Sequence, residues 1–447
     1  MRRAARGAGV GGGMSNIYWA SLLHFYQPPI QMPEVLRKVV EESYRPLIEV
    51  FKQQPHARVS VNINGVLTEM LYESGYQDVI DGLGELASRG QLEFVGSAKY
   101  HAILPLINEN EQRRQIRRNH LTNRHFFGDR YKPRGFFPPE MCYDPSFLDS
   151  MLDLGHEWVI MSGVACPAPW PTNQVYEVQS KDGRAAAVVF RDDVLSNKIS
   201  FQDMDGKAFI EHLRNAHGNP DDMYIVTAMD AETFGHHIEN WDQLFLSEAY
   251  EAVAPPYALV RQAHPLAAST RTLLTMVEKP AAQDVVISST ISDVVDRFPR
   301  NGVIEARPAS WSTTHEDLDA GVPYPLWQAP GNYIHKLQWE HVEIMSQLVD
   351  TALAVADTEV SKRHADIARG LMDAALHSCQ FWWASRRPHW DVNMIRRGLD
   401  QQSGVVLNAF RAINLSSAVE AMKRDAYYKV VASRDIRAKI HDQLFWD

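Results

Sequence analysis

From residue 17 onward, short apolar runs alternate with longer stretches of helical spacing. IYWASLL (Ile17 to Leu23), VSVNI (Val59 to Ile63), LEFV (Leu92 to Val95) and Phe136-Phe137 read as buried strands. So do WVIM (Trp158 to Met161), Ala187 to Phe190, YIVTAM (Tyr224 to Met229) and Val285 to Ser288. Each is a short apolar run bounded by turn residues, the mark of a strand covered on both faces. Between them, residues 34 to 54, the stretch after Asn64-Gly65, residues 109 to 125, the segment beginning near Pro145 and Leu266 to Met276 have helical spacing. Strands alternating with helices predict a parallel sheet with crossover helices, and roughly seven such units suit a closed or nearly closed β/α barrel better than a flat sheet. The helix at 109 to 125 carries Arg113, Arg114, Arg117 and Arg118, which read as a solvated face.

After about residue 305 the texture changes. A Pro/Gly/aromatic loop over 306 to 333 gives way to helical periodicity in HKLQWEHVEIMSQLVDTALAV, HADIARGLMDAALHSCQFWWAS and a final amphipathic stretch. The organisation expected is a barrel over 14 to 305 and a C-terminal helical domain over 306 to 447. Residues 1 to 13, MRRAARGAGVGGG, have arginines and glycines but no apolar segment of the secretory kind. They read as a disordered extension, with the working protein expected from Met14.

The chain has 447 residues, 45% hydrophobic and 22% charged, with a net charge of −10. That composition is globular, and its acidity excludes a non-specific nucleic-acid footprint. The three cysteines, Cys142, Cys166 and Cys379, are far apart and form no CxxC pair. A reducing, cytoplasmic setting and no thiol-rich zinc site are therefore expected. No run of apolar residues is long enough for a membrane span.

Chemistry-bearing residues gather where the predicted strands end. His24 closes the first strand, Glu93 and His101 flank the third, Glu140 follows Phe136-Phe137-Pro138-Pro139, and Asp230 closes YIVTAM, followed by Glu232, His236 and His237. In parallel barrels the active site lies at the C-terminal strand ends. If Glu140 and Asp230 point into one cleft, they form a carboxylate pair of the kind that hydrolyses glycosides, one attacking the anomeric carbon and the other protonating the leaving oxygen.

Several segments resemble glycoside hydrolase family 57. LLHFYQPP (22 to 29), GQLEFVGSAKYHAILPLI (90 to 107), GFFPPEMCYDP (135 to 145) and MDAETFGHH (229 to 237) are similar to its first four motifs. SWSTTHEDLDAGVPYPLWQAPGN (310 to 332) and HSCQFWWAS (377 to 385) are similar to its later segments. The resemblance implies an α/β fold, a (β/α)7 distorted TIM-like barrel followed by a helical domain that contributes to the active site. It also implies retaining chemistry on α-glucans or maltooligosaccharides with no metal or other cofactor, Glu140 as nucleophile and Asp230 as acid/base. His24, Tyr26, Glu93, His101, His236, Trp311, His377, Trp382 and Trp383 are the substrate-binding residues expected on the same ground. Tyr26 stands where the first motif usually has a second His; a phenol can still hydrogen-bond a sugar hydroxyl but cannot carry a proton charge near neutral pH. The motifs leave open hydrolysis against transfer (4-α-glucanotransferase or branching), the linkage cut and the oligomeric state. Two other classes compete: a metal-dependent deacetylase-like barrel using Asp230, His236 and His237, and a non-catalytic glucan-binding protein.

Overall fold

The computed structural model describes residues 15–216, 221–253, 285–388 and 390–446. The helix expected at Leu266 to Met276 lies outside the described residues. Ten strands are present among those described: β1 (Asn16–Phe25), β2 (Val59–Ile63), β3 (Leu92–Val95), β4 (Gly135–Phe136), β5 (Trp158–Ser162), β6 (Val175–Gln179), β7 (Ala185–Arg191), β8 (Met223–Asp230), β9 (Val285–Ser289) and β10 (Arg300–Val303).

Seven of these close a ring of parallel strands in the order β1-β2-β3-β4-β5-β7-β8. Two seams distort it. Gly96 and Phe136 form a single bridge between β3 and β4, and Asp192 N donates to Val226 O (2.8 Å) where β7 meets β8. The second seam is held by a side chain as well: Arg191 Nε donates to Ala228 O at 2.7 Å. β9 wedges beside β1, pairing with Asn16–Ala20 while β2 takes Leu22–Phe25. Neither β6 nor β10 was anticipated. β6 runs antiparallel to β7, and β10 is exposed throughout, so its sequence carries no apolar run.

The strand pleat decides what enters the barrel. On β1, Tyr18, Ala20 and Leu22 pack inside the ring with Ile160, Val189 and Val226, while Ile17, Trp19 and Leu23 pack outward against the helices. The inward series continues to His24. On β8 it runs Tyr224, Val226, Ala228 and ends at Asp230, directly in register with His24. The pattern that buries the barrel core thus delivers a polar residue to its C-terminal rim on each of these strands.

Four long helices follow: Tyr333–Val355, Glu359–Ala375, Val392–Asn414 and Glu420–Trp446. They pack through Met345, Leu348, Ala352, Ala368, Met372, Val405 and Ala409, spaced three or four residues apart within each helix. Asn332, Thr358 and Asp391 cap the first three helices, each worth about 1 kcal/mol.

The arginine face of helix Glu109–Phe127 requires a correction: it is not simply solvated. Arg114 grips Asp373, which is fully buried, with two hydrogen bonds (2.6 and 2.8 Å), and Arg118 lies 3.3 Å from the same carboxylate. Arg369 bridges Asp373 (2.9 Å) to Glu111 (2.6 Å). Arg113 pairs with Glu109 and Asp153. The face clamps the barrel to the helical bundle, a partner that helical spacing alone does not show.

Candidate active site

A cavity of about 370 Å³ opens at the C-terminal rim of the barrel, with His24, Tyr26, His101, Glu140, Asp230, Trp311, Trp382 and Trp383 among its lining residues. Elements far apart in the chain supply them. His24 is the last inward residue of β1 and Asp230 ends β8. Glu140 follows two prolines in a tight turn (Met141 N to Pro138 O, 2.8 Å) with φ of 57°. His101 also has φ of 57°. A left-handed backbone costs a non-glycine residue on the order of 1 kcal/mol, and such strain persists where the surroundings impose it. At His101 the surroundings are Gln115, whose side chain accepts from Tyr100 N (3.1 Å), and a bridge from Ala102 to His377. At Glu140 the loop of residues 306 to 333 supplies them: Trp311 N donates to Glu140 O at 3.1 Å.

Both oxygens of the Glu140 carboxylate are engaged. Trp311 Nε1 donates to Oε2 (2.9 Å), and Ser378 Oγ lies 3.4 Å from Oε1 as a donor. Hydrogen bonds of this kind favour the ionised form. Burial acts against them, and with the negative charge of Asp230 it pushes the Glu140 carboxyl up to about 8. Burial pushes Asp230 to about 6, opposed by the positive charge of Arg191. A third carboxylate shares the cavity. Glu232 accepts from Gln27 (2.9 Å) and from Tyr44, and burial together with the Asp230 charge pushes it to about 8. Burying and crowding three carboxyl groups beside one guanidinium raises all three, Asp230 least, so near neutral pH the cavity holds protons that the group shares.

The histidines stay neutral and present acceptors. Asn62 Nδ2 donates to Val95 O (3.1 Å), so Asn62 Oδ1 accepts from His24 Nδ1 at 2.6 Å. His24 Nε2 is then a bare lone pair, buried and without a partner. Ser378 donates to Glu140 and so accepts from His101 Nδ1 (2.8 Å), leaving His101 Nε2 in the same condition. Burial lowers His24 to about 4 and holds His101 well below its ordinary value. Tyr26 stacks on His101, ring centroids 4.0 Å apart, and Cys379 Sγ lies 3.6 Å from its hydroxyl.

A model of glycosyl hydrolase family 57 matches residues 18–274. The chain belongs to glycosyl hydrolase family 57. Among curated relatives, an α-amylase of Pyrococcus horikoshii is 27% identical over 216 residues, 48% of this chain and 33% of that protein. A 4-α-glucanotransferase of Thermococcus litoralis is 26% identical over 225 residues, 50% of this chain and 33% of that protein. The chain spans about a third of the length of these relatives. The solved structure of the Thermococcus litoralis 4-α-glucanotransferase superposes with a TM-score of 0.61 at 21% identity, covering 90% of this chain and 60% of that one. A branching enzyme of Pyrococcus horikoshii superposes at 0.66 and 15% identity, covering 94% and 95%. At such identities these structures share the fold.

Three of the substrate-binding expectations fall outside the cavity of this family-57 chain. Glu93 is the second residue of β3, level with Ser60 and hence with Leu22, two residues deeper than His24 or about 7 Å lower along the strand. There it accepts from Ser60 Oγ (2.5 Å) and Ser292 N (3.1 Å) inside the barrel. His236 turns away to Glu42 (2.6 Å), and its neighbour His237 takes the place at the cavity. His377 is fully buried behind His101, within reach of its charge but not of the cavity wall. Trp382 and Trp383 both reach the wall while their other edges pack into the helical bundle. Gln27, Ser378 and Arg191 were not singled out from the sequence. Glu232, two residues past Asp230 in MDAETFGHH, left a local signal.

The deacetylase-like alternative loses its ligand set, since His236 points elsewhere, and among the described residues no group of three or more His, Cys, Asp or Glu could hold a metal ion.

Proposed function

We propose that this chain is a retaining glycosidase acting on α-glucans, with Glu140 as nucleophile and Asp230 as acid/base. The observation that carries the reading is the meeting of Glu140 and Asp230, ninety positions apart, in one aromatic-walled cavity. In the first step a carboxylate oxygen of Glu140 attacks the anomeric carbon. The glycosidic bond breaks, and Asp230 gives its proton to the departing oxygen. In the second step Asp230, now ionised, takes a proton from water, which attacks the same carbon and releases Glu140. Trp311 and Ser378 hold Glu140 in place, His24 and His101 accept from sugar hydroxyls, and the Trp382 and Trp383 faces suit apolar sugar faces. The amylase and transferase names of the relatives support the α-glucan substrate.

Transfer is the second reading, and the cavity itself favours keeping it. Beyond Asp230 it continues into a second lobe of about 540 Å³ that shares Asp230, His237, Trp311 and Ser312 with the first, room for an acceptor sugar in place of water. The proposal takes residues 14–305 and 306–447 as one catalytic unit, because Trp311, Ser378, Trp382 and Trp383 come from the second part. Three buried free thiols support a reducing, cytoplasmic setting. No helix among the described residues is long and apolar enough to cross a membrane.

Products from amylose, pullulan and maltooligosaccharides test the reading. Shorter chains alone indicate hydrolysis and new longer chains indicate transfer. Maltotriose from pullulan indicates α-1,6 cleavage. No change in any of these glucans would overturn the proposal.

A further inference from the structure

A third hollow, of about 780 Å³, borders the second lobe, and Asp193 lines both. Two walls run on from one to the next. The first is the end of β7 and helix Asp193–Ser200, with Arg191 and Asn197 on the second lobe and Val194 and Lys198 on the third. The second is the segment from Trp311 to His315: Trp311 and Ser312 line the first two lobes, Thr314 the second and His315 the third. Each lobe carries an aromatic surface. Trp382 and Trp383 stand in the first, Phe201 is 73% exposed in the second, and Trp170 lines the third.

Trp170 is held in advance of any ligand. It lies in CPAPWP, between Pro169 and Pro171, where the backbone has little freedom to lose. The loop is tied at both ends, by Arg307 Nη2 to Cys166 O (2.9 Å) and by Tyr224 N to Thr172 O (2.7 Å). The indole packs on Phe190 (centroids 5.2 Å apart) and sits so close to Gly163 that a Cβ there would come within 2.8 Å of its ring. Even so it remains partly exposed.

The direction of the groove follows from the chemistry. Glu140 lines only the first lobe, whereas Asp230 lines the first and second. The acid must touch the glycosidic oxygen, and the other substituent of that oxygen is the leaving chain. The chain on the Asp230 side is therefore the leaving group, and in reverse the acceptor. Resting on the reading above, we infer that the Trp170 hollow binds the leaving or acceptor arm of an α-glucan chain, several glucosyl units from the bond that is cut. The protein is then built for long chains, with a binding contribution remote from the reacting carbon.

The test compares Trp170→Ala, Trp170→Phe and the parent chain on maltoheptaose and on an aryl α-maltoside, whose leaving group is too short to reach Trp170. Loss of the indole face should lower kcat/KM on maltoheptaose about tenfold more than on the aryl glycoside, through KM, with Trp170→Phe recovering most of it. Equal losses on both substrates, or none, would overturn the inference. Calorimetric titration of maltoheptaose into Glu140→Gln, with and without Trp170→Ala, gives a second readout that needs no turnover. A weakening of about tenfold supports the groove, and unchanged affinity refutes it. A parent chain that binds maltoheptaose without cleaving it breaks the catalytic reading and leaves the groove standing on its affinity.

Discussion

Buried carboxylates meet opposite surroundings at two places in this molecule. Asp373, with no exposed surface, is surrounded by three guanidiniums, those of Arg114, Arg118 and Arg369. At the barrel mouth Glu140, Asp230 and Glu232 crowd one cavity, and Arg191 is the cation that opposes the rise of Asp230. The compensated carboxylate ties two parts of the chain together. The under-compensated ones are pushed towards neutrality, which costs stability and leaves protons where a leaving group can take them. Burial alone does not mark a site; several carboxylates short of countercharge around one cavity do.

The comparison breaks most visibly on activity. Glu140→Gln should lose at least about 10⁴-fold in kcat on any substrate the parent chain cleaves, since the attacking oxygen is gone. A residual rate within tenfold of the parent in steady-state assays would remove Glu140 from the chemistry. Asp373→Ala should do the reverse. Leaving Arg114 and Arg118 without Asp373, and Arg369 with Glu111 alone, should cost about 3 kcal/mol of stability, read by denaturant or thermal unfolding, with kcat near that of the parent at temperatures where the variant is folded.

The pH profile sharpens the contrast. With Asp230 near 6 and Glu140 near 8, kcat/KM should be bell-shaped, with limbs that belong to the pair. Below the lower limb both groups are protonated and no nucleophile remains; above the upper limb both are ionised and no acid remains. Arg191→Gln removes the charge that opposes the rise of Asp230, so the lower limb should move upward. Arg191→Lys keeps the charge and should leave the limb nearly in place. Equal shifts in the two variants would make Arg191 a brace for the seam between β7 and β8 and nothing more.

The smallest effect is thermal. The native Glu140 carboxyl lies above its unfolded value, so between about pH 4.5 and 8 the native state holds more protons than the unfolded one, and stability falls as pH rises through that window. Glu140→Gln lacks this loss. Its Tm should exceed that of the parent by about 2–4 °C at pH 8 and match it near pH 4. The same substitution that removes activity should therefore stabilise the protein.

The barrel was legible because its strands are buried on both faces and read as apolar runs, and because the inward series on β1 and β8 ends in His24 and Asp230. What the runs do not carry is register. Glu93 looks like a strand-end residue in LEFV, but the pairing with Ser60 sets it a layer too deep. Neither can a run distinguish neighbours in a turn, so His237 rather than His236 stands at the cavity. Side chains that act only through tertiary contact left the least trace. Ser378 touches Glu140 across 238 positions, and the Arg114 face looks solvated until Asp373 is brought against it from 259 positions away.

The most direct test of the central claim is mass spectrometry of Asp230→Ala after incubation with a 5-fluoro α-glucosyl fluoride. That substrate needs no acid to leave, and without the base to activate water its glycosyl-enzyme should accumulate. The account predicts a single added fluoroglucosyl group on the peptide that contains Glu140. An unlabelled protein that still releases fluoride, or a label on any other residue, would contradict it.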